Sequence, residues 1–258
     1  MPTDTAGQRF FEASAGERTV PGVWHENYWF RRHEVVYEWV VRAVDDRRQR
    51  LGRDLLVLDA GCGEGYGTRM LAGGGRTLAL DYDARTMRHL ATTHRDLSAV
   101  QGNLVALPLR ADAFDVVVSL QTVEHLWDQP AFAAECARVT RPGGLIVLST
   151  PNRLTFPPGN VYHHRELDAD ELAALLTPLC ADVRVMGVHH ADPLRTWERE
   201  HGSIVTAQIA TEPATWGEGL RRRVCAVRAA DFSLDAANET SLDLVATAVL
   251  PTAPGSSS

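Results

Sequence analysis

The chain reads as an α/β protein built on a doubly wound, mostly parallel sheet of seven strands, with an insertion before the last strand. Three observations carry that reading. Short apolar runs of strand length alternate with amphipathic stretches of helix length through residue 188, the pattern of successive βαβ units. The first run, from Leu55 to Leu58, passes into Asp59 and then into glycines at 61, 63, 65 and 67. That is a buried strand, a tight turn and a helix start. The second run ends in Asp81, 18 residues after Gly63, where open α/β sheets present an acidic residue to a ligand.

The elements follow in order. Residues 1–27 are expected to form a flexible N-terminal segment, polar and without periodicity through residue 22, until a ligand or the fold pins it. A helix is expected over 28–50, with Trp29, Val36, Trp39, Val40 and Ala43 as its apolar stripe. Strand one is 55–59 and its helix runs from Tyr66 to Ala72, ended by Gly73-Gly74-Gly75. Strand two is 77–81, followed by a helix from Ala84 to His94 and a short strand at 99–101. Strand four is 114–120 and its helix 130–139. Arg141-Pro142-Gly143-Gly144 reads as a turn before strand five at 145–149. Asp168 or Asp170 is placed to cap a helix over 171–176. Strand six falls at 182–188 and strand seven at 242–249. The stretch 189–240 reads either as a cover over the ligand cleft or as an ordinary surface excursion. Residues 28–250 make one domain, and 251–258 form a disordered tail.

Composition narrows the function. The chain has 258 residues, 45% of them hydrophobic, enough for one large domain with a sizeable core. Its net charge is -7, which gives a nucleic-acid partner little electrostatic support. All 26 basic residues are arginine, in short clusters such as Arg31-Arg32, Arg47-Arg48 and Arg221-Arg222-Arg223. Four widely spaced cysteines without a C-x-x-C pair fit a reducing compartment. No apolar leader and no apolar stretch near 18 residues is present, so a cytoplasmic protein without a membrane span is expected. Oligomeric state leaves no trace in the sequence.

The glycine loop constrains the ligand. Glycines let the main chain pass close to a bound group, because no Cβ intervenes. Tyr66 stands where a dinucleotide fingerprint requires Gly or Ala, and no Gly-Lys-Ser/Thr of a P-loop follows. Glu64 would repel a phosphate, so a ligand with a cationic end fits better. Asp81 is suited to accept from ribose hydroxyls, with a helix cap as its bland alternative. Tyr82 can stack on a purine, and Asn103 offers a donor and an acceptor to an adenine edge.

The runs V-L-D-A-G-C-G-E-G-Y-G, A-L-D-Y-D, G-N-L-x-x-L-P-L, F-D-V-V-V-S, E-H-L and R-P-G-G-L-I-V-L-S-T-P-N stand in this order over residues 55–152. In them the chain resembles the class I S-adenosylmethionine-dependent methyltransferases, whose fold is Rossmann-like. The resemblance implies S-adenosyl-L-methionine as cofactor. Its methionine part would lie against Gly61, Gly63 and Gly65, where the ammonium tolerates Asp59 and Glu64. Asp81 would hold the ribose, Tyr82 would flank the adenine, Asn103 and Leu104 would meet its edge, and Gln121 would lie beside the cofactor. Three further stretches are Glu26–His33, Glu124–Asp128, and Thr150–Asn152 with Tyr162–Leu167. In them the chain is similar to actinobacterial sugar O-methyltransferases associated with methylglucose lipopolysaccharide synthesis. That likeness implies a role in polysaccharide biosynthesis, with a sugar or other small-molecule acceptor.

A protonated hydroxyl is a poor nucleophile, so a general base is expected. His125 and His163 are the candidates, because imidazole titrates near neutrality. Glu124, His125 and His163 also resemble the divalent-metal cluster of some relatives, which implies Mg2+, although Gln121 replaces a glutamate of that pattern. The bland alternative is that Glu124 caps or pairs and His125 merely packs. Other readings are a small-molecule or lipid methyltransferase, and a non-catalytic cofactor-binding partner of biosynthetic enzymes.

Overall fold

A computed structural model describes residues 18–252. Residues 1–17 of the expected flexible segment, and 253–258 of the expected tail, lie outside them. The first long element is α1 (Asn27–Leu51), whose buried face is Tyr28, Arg32, Val35, Val36, Val40 and Val44. That spacing puts one stripe against the sheet. Gly52 ends it in the left-handed conformation at φ 62°, a usual helix stop.

Five strands and three helices follow: β1 (Leu56–Ala60), α2 (Tyr66–Leu71), β2 (Arg76–Asp81), α3 (Ala84–Thr93), β3 (Ser98–Gln101), β4 (Phe114–Leu120), α4 (Gln129–Val139) and β5 (Thr140–Pro151). Then come α5 (Ala169–Leu176), β6 (Ala181–His190), α6 (Asp192–His201), α7 (Ile204–Ala210), α8 (Glu218–Ala226), β7 (Phe232–Ala236) and β8 (Asp243–Val249). Of the two candidate caps for α5, Asp168 is the one used. Its carboxylate accepts from the Glu171 N–H while Glu171 accepts from the Asp168 N–H, a complete capping box.

Among the described residues the sheet has eight strands, in the order β3-β2-β1-β4-β5-β8-β6-β7. Strands β1 to β5 pair in parallel, β8 runs antiparallel between β5 and β6, and β7 pairs antiparallel with β6. The fold class is the expected one, but the count of seven is corrected to eight. The additional strand, β7, lies inside the stretch expected as an insertion. That stretch otherwise forms α6, α7 and α8. It packs on the N-terminal end of α1: the Asn27 amide donates to the carbonyls of Val224 and Val227, at 2.8 and 3.0 Å, and Trp24 meets Trp216 edge to face. The expected turn at 141–144 is drawn into β5, where Gly143 and Gly144 exchange main-chain hydrogen bonds with Leu250.

The sheet separates two cores. One contains Tyr28, Tyr37 and Val40 of α1 with Val57, Val118 and Val147 of the strands. The other contains Phe132 and Cys136 of α4 and Leu172 of α5 with Leu58, Val117 and Leu148. Strand order reverses between β1 and β4, so the crevice lies beyond their carboxyl ends. Among the described residues no helix is long and apolar enough to cross a membrane.

Candidate functional site

The loop between β1 and α2 is pinned to the end of β2, since the amides of Gly61 and Cys62 both donate to the Leu80 carbonyl, at 2.7 and 3.0 Å. Its glycines do different work. A Cβ at Gly61 (φ +83°) would lie 2.5 Å from Thr122 Oγ1, and one at Gly65 (φ +95°) would lie 2.7 Å from Leu90 Cδ1. Those two serve packing and backbone conformation. Among the described residues, a Cβ at Gly63 (φ +52°) would meet only Arg18 Nη1, at 3.9 Å. Of these three glycines, Gly63 is therefore the one whose main chain the described residues leave open.

Asp81 ends β2 beside this loop. Its Oδ2 accepts from the Gly63 N–H at 3.0 Å and its Oδ1 from the Asp83 N–H at 2.9 Å. Arg18 Nη1 stands 3.7 Å from Oδ2, and Arg18 Nη2 reaches Asp83 Oδ2 at 3.3 Å. Asp83 caps α3, so the capping reading belongs to Asp83 and Asp81 serves the loop.

The two other acidic residues near the loop, Asp59 of β1 and Glu64, have internal partners. Asp59 is fully buried; its Oδ2 accepts from Thr68 Oγ1 at 2.6 Å, with the Tyr37 hydroxyl 3.5 Å from Oδ1. Burial pushes its pKa up to about 7, against the hydrogen bonds from Thr68 and Tyr37. Glu64 turns toward α3, with Oε1 3.4 Å from His89 Nε2 and 3.9 Å from His94 Nε2. A ligand ammonium is thus not needed to account for Glu64.

On the adenine side, the Tyr82 ring is 73% exposed at the end of β2. Asn103 Oδ1 accepts from the Val105 N–H at 3.1 Å, an Asx turn that shapes the loop after β3. Leu104 packs its side chain into the second core, which leaves its main chain for any contact with a ligand. Gln121, past β4, takes φ +52°, a strained value for this residue type. It is held there by its N–H on the Ser149 carbonyl at 3.0 Å and its Nε2 on Ser149 Oγ at 3.1 Å.

Just beyond lie Glu124 and His125, in a short 3-10 turn at Val123–His125. The loop after β5 meets them, with the amides of His164 and Arg165 donating to the Glu124 carbonyl at 2.7 and 3.1 Å. Glu124, His125 and His163 each offer a ligand atom, all within 4.8 Å of one another. The tautomers follow from the partners. His125 Nδ1 lies 3.0 Å from the Tyr162 carbonyl, which only accepts, so Nδ1 carries a proton. His163 Nδ1 lies 2.8 Å from Glu166 Oε1, and its Nε2 lies 3.2 Å from the Asn160 amide nitrogen. Asn160 Oδ1 accepts from the Tyr162 N–H, which fixes that amide's orientation. His163 is therefore also protonated on Nδ1.

The structure thus brings together the glycine loop with Asp81, and separately Glu124 with His125 and His163. Arg18, Asn160 and Glu166 were not singled out from the sequence as site residues. Val20 and Val23 around Pro21-Gly22 were the one cue that residues 18–23 pack, and both are buried.

Residues 58–148 match the model of the methyltransferase domain family. A protein of Mycolicibacterium smegmatis, named a probable S-adenosylmethionine-dependent methyltransferase, is 47% identical over 250 residues, covering 92% of this chain and 94% of that one. A ubiquinone biosynthesis O-methyltransferase of Rhizobium leguminosarum is 36% identical over 114 residues, covering 42% of this chain and 45% of that one. The fold is similar to that of a SAM-dependent methyltransferase of Thermotoga maritima, described as a possible histamine N-methyltransferase. That structure has TM-score 0.55 and 15% identity, with 86% of this chain and 92% of that one covered. The donor set suits such a cofactor, with an acidic residue at the tip of β2 and open main chain at Gly63. The chain belongs to the S-adenosylmethionine-dependent methyltransferases.

Proposed function

We propose that the protein is an O-methyltransferase acting on a sugar hydroxyl of an oligosaccharide or polysaccharide, of the kind found in methylglucose lipopolysaccharide. In this reading Asp81 holds the ribose, Gly61, Gly63 and Gly65 line the methionine part, and Tyr82, Asn103 and the Leu104 main chain flank the adenine. Asp59 supports the loop from below, and Gln121 lies beside the cofactor. The bound cofactor supplies an electrophilic methyl, so the protein has chiefly to orient the acceptor, exclude water and take a proton.

His125 is the base. With Nδ1 protonated, its neutral form carries the lone pair on Nε2, and its ring is only partly buried. His163 packs edge-on against it, with ring centroids 5.0 Å apart, and is itself oriented by Glu166 and Asn160. The bound cofactor would supply the methyl group to the acceptor oxygen and keep the sulfur–methyl electron pair on sulfur. The hydroxyl proton goes to His125 Nε2.

The observation that carries a sugar acceptor is a pair of open aromatic rings beside the histidines. Trp127 is 71% exposed two residues after His125, and Tyr162 is 53% exposed one residue before His163. Pyranose rings present C–H faces that stack on such rings while their hydroxyls stay polar. The test incubates the protein with methyl-labelled cofactor and a panel of glucans, phenols and lipids. Label appearing only on phenols or lipids would replace the sugar acceptor, and label appearing on none would favour a non-catalytic cofactor-binding role.

A second reading rests on the 4.8 Å cluster. Glu124 and His125 would hold a divalent cation, with His163 joining them by giving up the Asn160 amide bond at its Nε2, and the cation would lower the pKa of the acceptor hydroxyl. Two imidazoles and one carboxylate suit a first-row transition ion better than the expected Mg2+, which prefers oxygen ligands. Loss of turnover on chelation, restored by metal add-back, is its expected signature; turnover indifferent to chelators overturns it.

A further inference from the structure

We propose that residues 18–23 are a strap across the nucleoside end of the cofactor site, and that Arg18 is a cofactor-binding residue engaged by the ribose. The inference rests on the reading of Asp81 as the ribose-holding group. The strap is built, not draped. Val20 and Val23 are buried at its far end, Gly22 takes φ +86°, and the Val23 amide closes the turn on the Val20 carbonyl at 3.3 Å. From that anchor Arg18 reaches back over the site.

Its side chain is 16% exposed, and its guanidinium bridges two carboxylates, 3.7 Å from Asp81 Oδ2 and 3.3 Å from Asp83 Oδ2. It is also the nearest group above the open main chain of Gly63. The donors of this guanidinium are incompletely used. Arg18 Nε is buried and has no hydrogen-bond acceptor, and the approach of Nη1 to Asp81 is longer than a hydrogen bond. A buried donor on a charged group calls for an acceptor. At this place, between the tip of β2 and the glycine loop, the ribose supplies hydroxyl oxygens that accept from Arg18 while donating to Asp81. Arg18 also sets a positive charge beside the acidic pair Asp81 and Asp83.

The test uses titration calorimetry on the full chain with two probes, S-adenosylhomocysteine and 5′-methylthioadenosine. The second lacks the amino-acid carboxylate and ammonium. R18A and R18Q, checked for unchanged thermal melting, are expected to bind both probes at least about tenfold more weakly than the parent chain. Unchanged or tighter binding overturns the proposal, and so does a loss confined to S-adenosylhomocysteine, which would assign Arg18 to the carboxylate.

A second readout needs no variant. Saturating S-adenosylhomocysteine should slow tryptic cleavage of the Arg18–Thr19 bond in the parent chain; cleavage that is unaffected or faster overturns the strap. A parent chain that binds neither probe would overturn the cofactor reading together with this one. A parent chain that binds both, with R18A unaltered, removes this inference alone.

Discussion

Asp81 and Asp59 end neighbouring strands, yet their surroundings set them to different tasks. Asp81 accepts two main-chain N–H bonds at the mouth of the crevice. D81A should weaken S-adenosylhomocysteine binding by roughly ten- to several-hundredfold, since hydrogen bonds to a charged group are lost, and calorimetry reads this directly. Asp59 is sealed beneath, with its pKa pushed up to about 7 by burial. In the unfolded chain an aspartate ionises near pH 4. Between about pH 4 and 7 the native state holds a proton that the unfolded state has lost, so this group's contribution to stability falls as pH rises. D59N carries no such proton. Urea midpoints should show the stability of D59N relative to the parent chain increasing from about pH 4 to about pH 7; a constant difference would contradict the assignment. Gly65 makes a third residue-scale case. Its φ of +95° and the Leu90 methyl in the path of a Cβ predict that G65A costs about 1–3 kcal/mol, read by thermal or urea unfolding.

At the scale of elements, capping gives a clean prediction. The reciprocal Asp168–Glu171 box starts α5, and D168A should lower stability by about 1 kcal/mol in urea unfolding. The elements most legible in the sequence are those buried on both faces. β4 is legible at its observed bounds because Phe114–Leu120 is buried throughout, and all of it except Asp115 and Ser119 is apolar. β7 escaped because only Phe232 of its five residues is buried, which leaves an edge strand without an apolar run. The Arg141–Gly144 stretch has turn chemistry but is drafted into β5 by Leu250, more than a hundred residues away in the chain. In the site, the glycine loop and Asp81 were legible because strand, turn and acid are local features. Arg18 was not, because its partners Asp81 and Asp83 lie more than sixty residues away in the chain; Glu166 and Asn160 stand only three residues from His163, but that spacing is common in loops and has no periodicity to single it out.

Across the whole molecule, α1 is the common tie. Arg32, near its start, is buried and forms a two-pronged ion pair with Asp243 at the head of β8. Further along the helix, Tyr37 lies against Gly67 below the cofactor loop. Removing one partner of a buried pair leaves an uncompensated charge, so R32M should cost about 3–5 kcal/mol. The double variant R32M with D243N should recover part of that loss, and a double-mutant cycle by urea unfolding measures the coupling. Single and double variants equally unstable would argue that Arg32 acts through packing alone.

The placement of β8 has a consequence for biosynthesis. β8, the last of the described strands in chain order, is seated between β5 and β6, so the nascent chain carries two naked strand edges until Asp243–Val249 has been made. Such edges invite mispairing with other chains. A polypeptide stopped ahead of Asp243 should therefore accumulate as aggregate instead of a smaller folded protein.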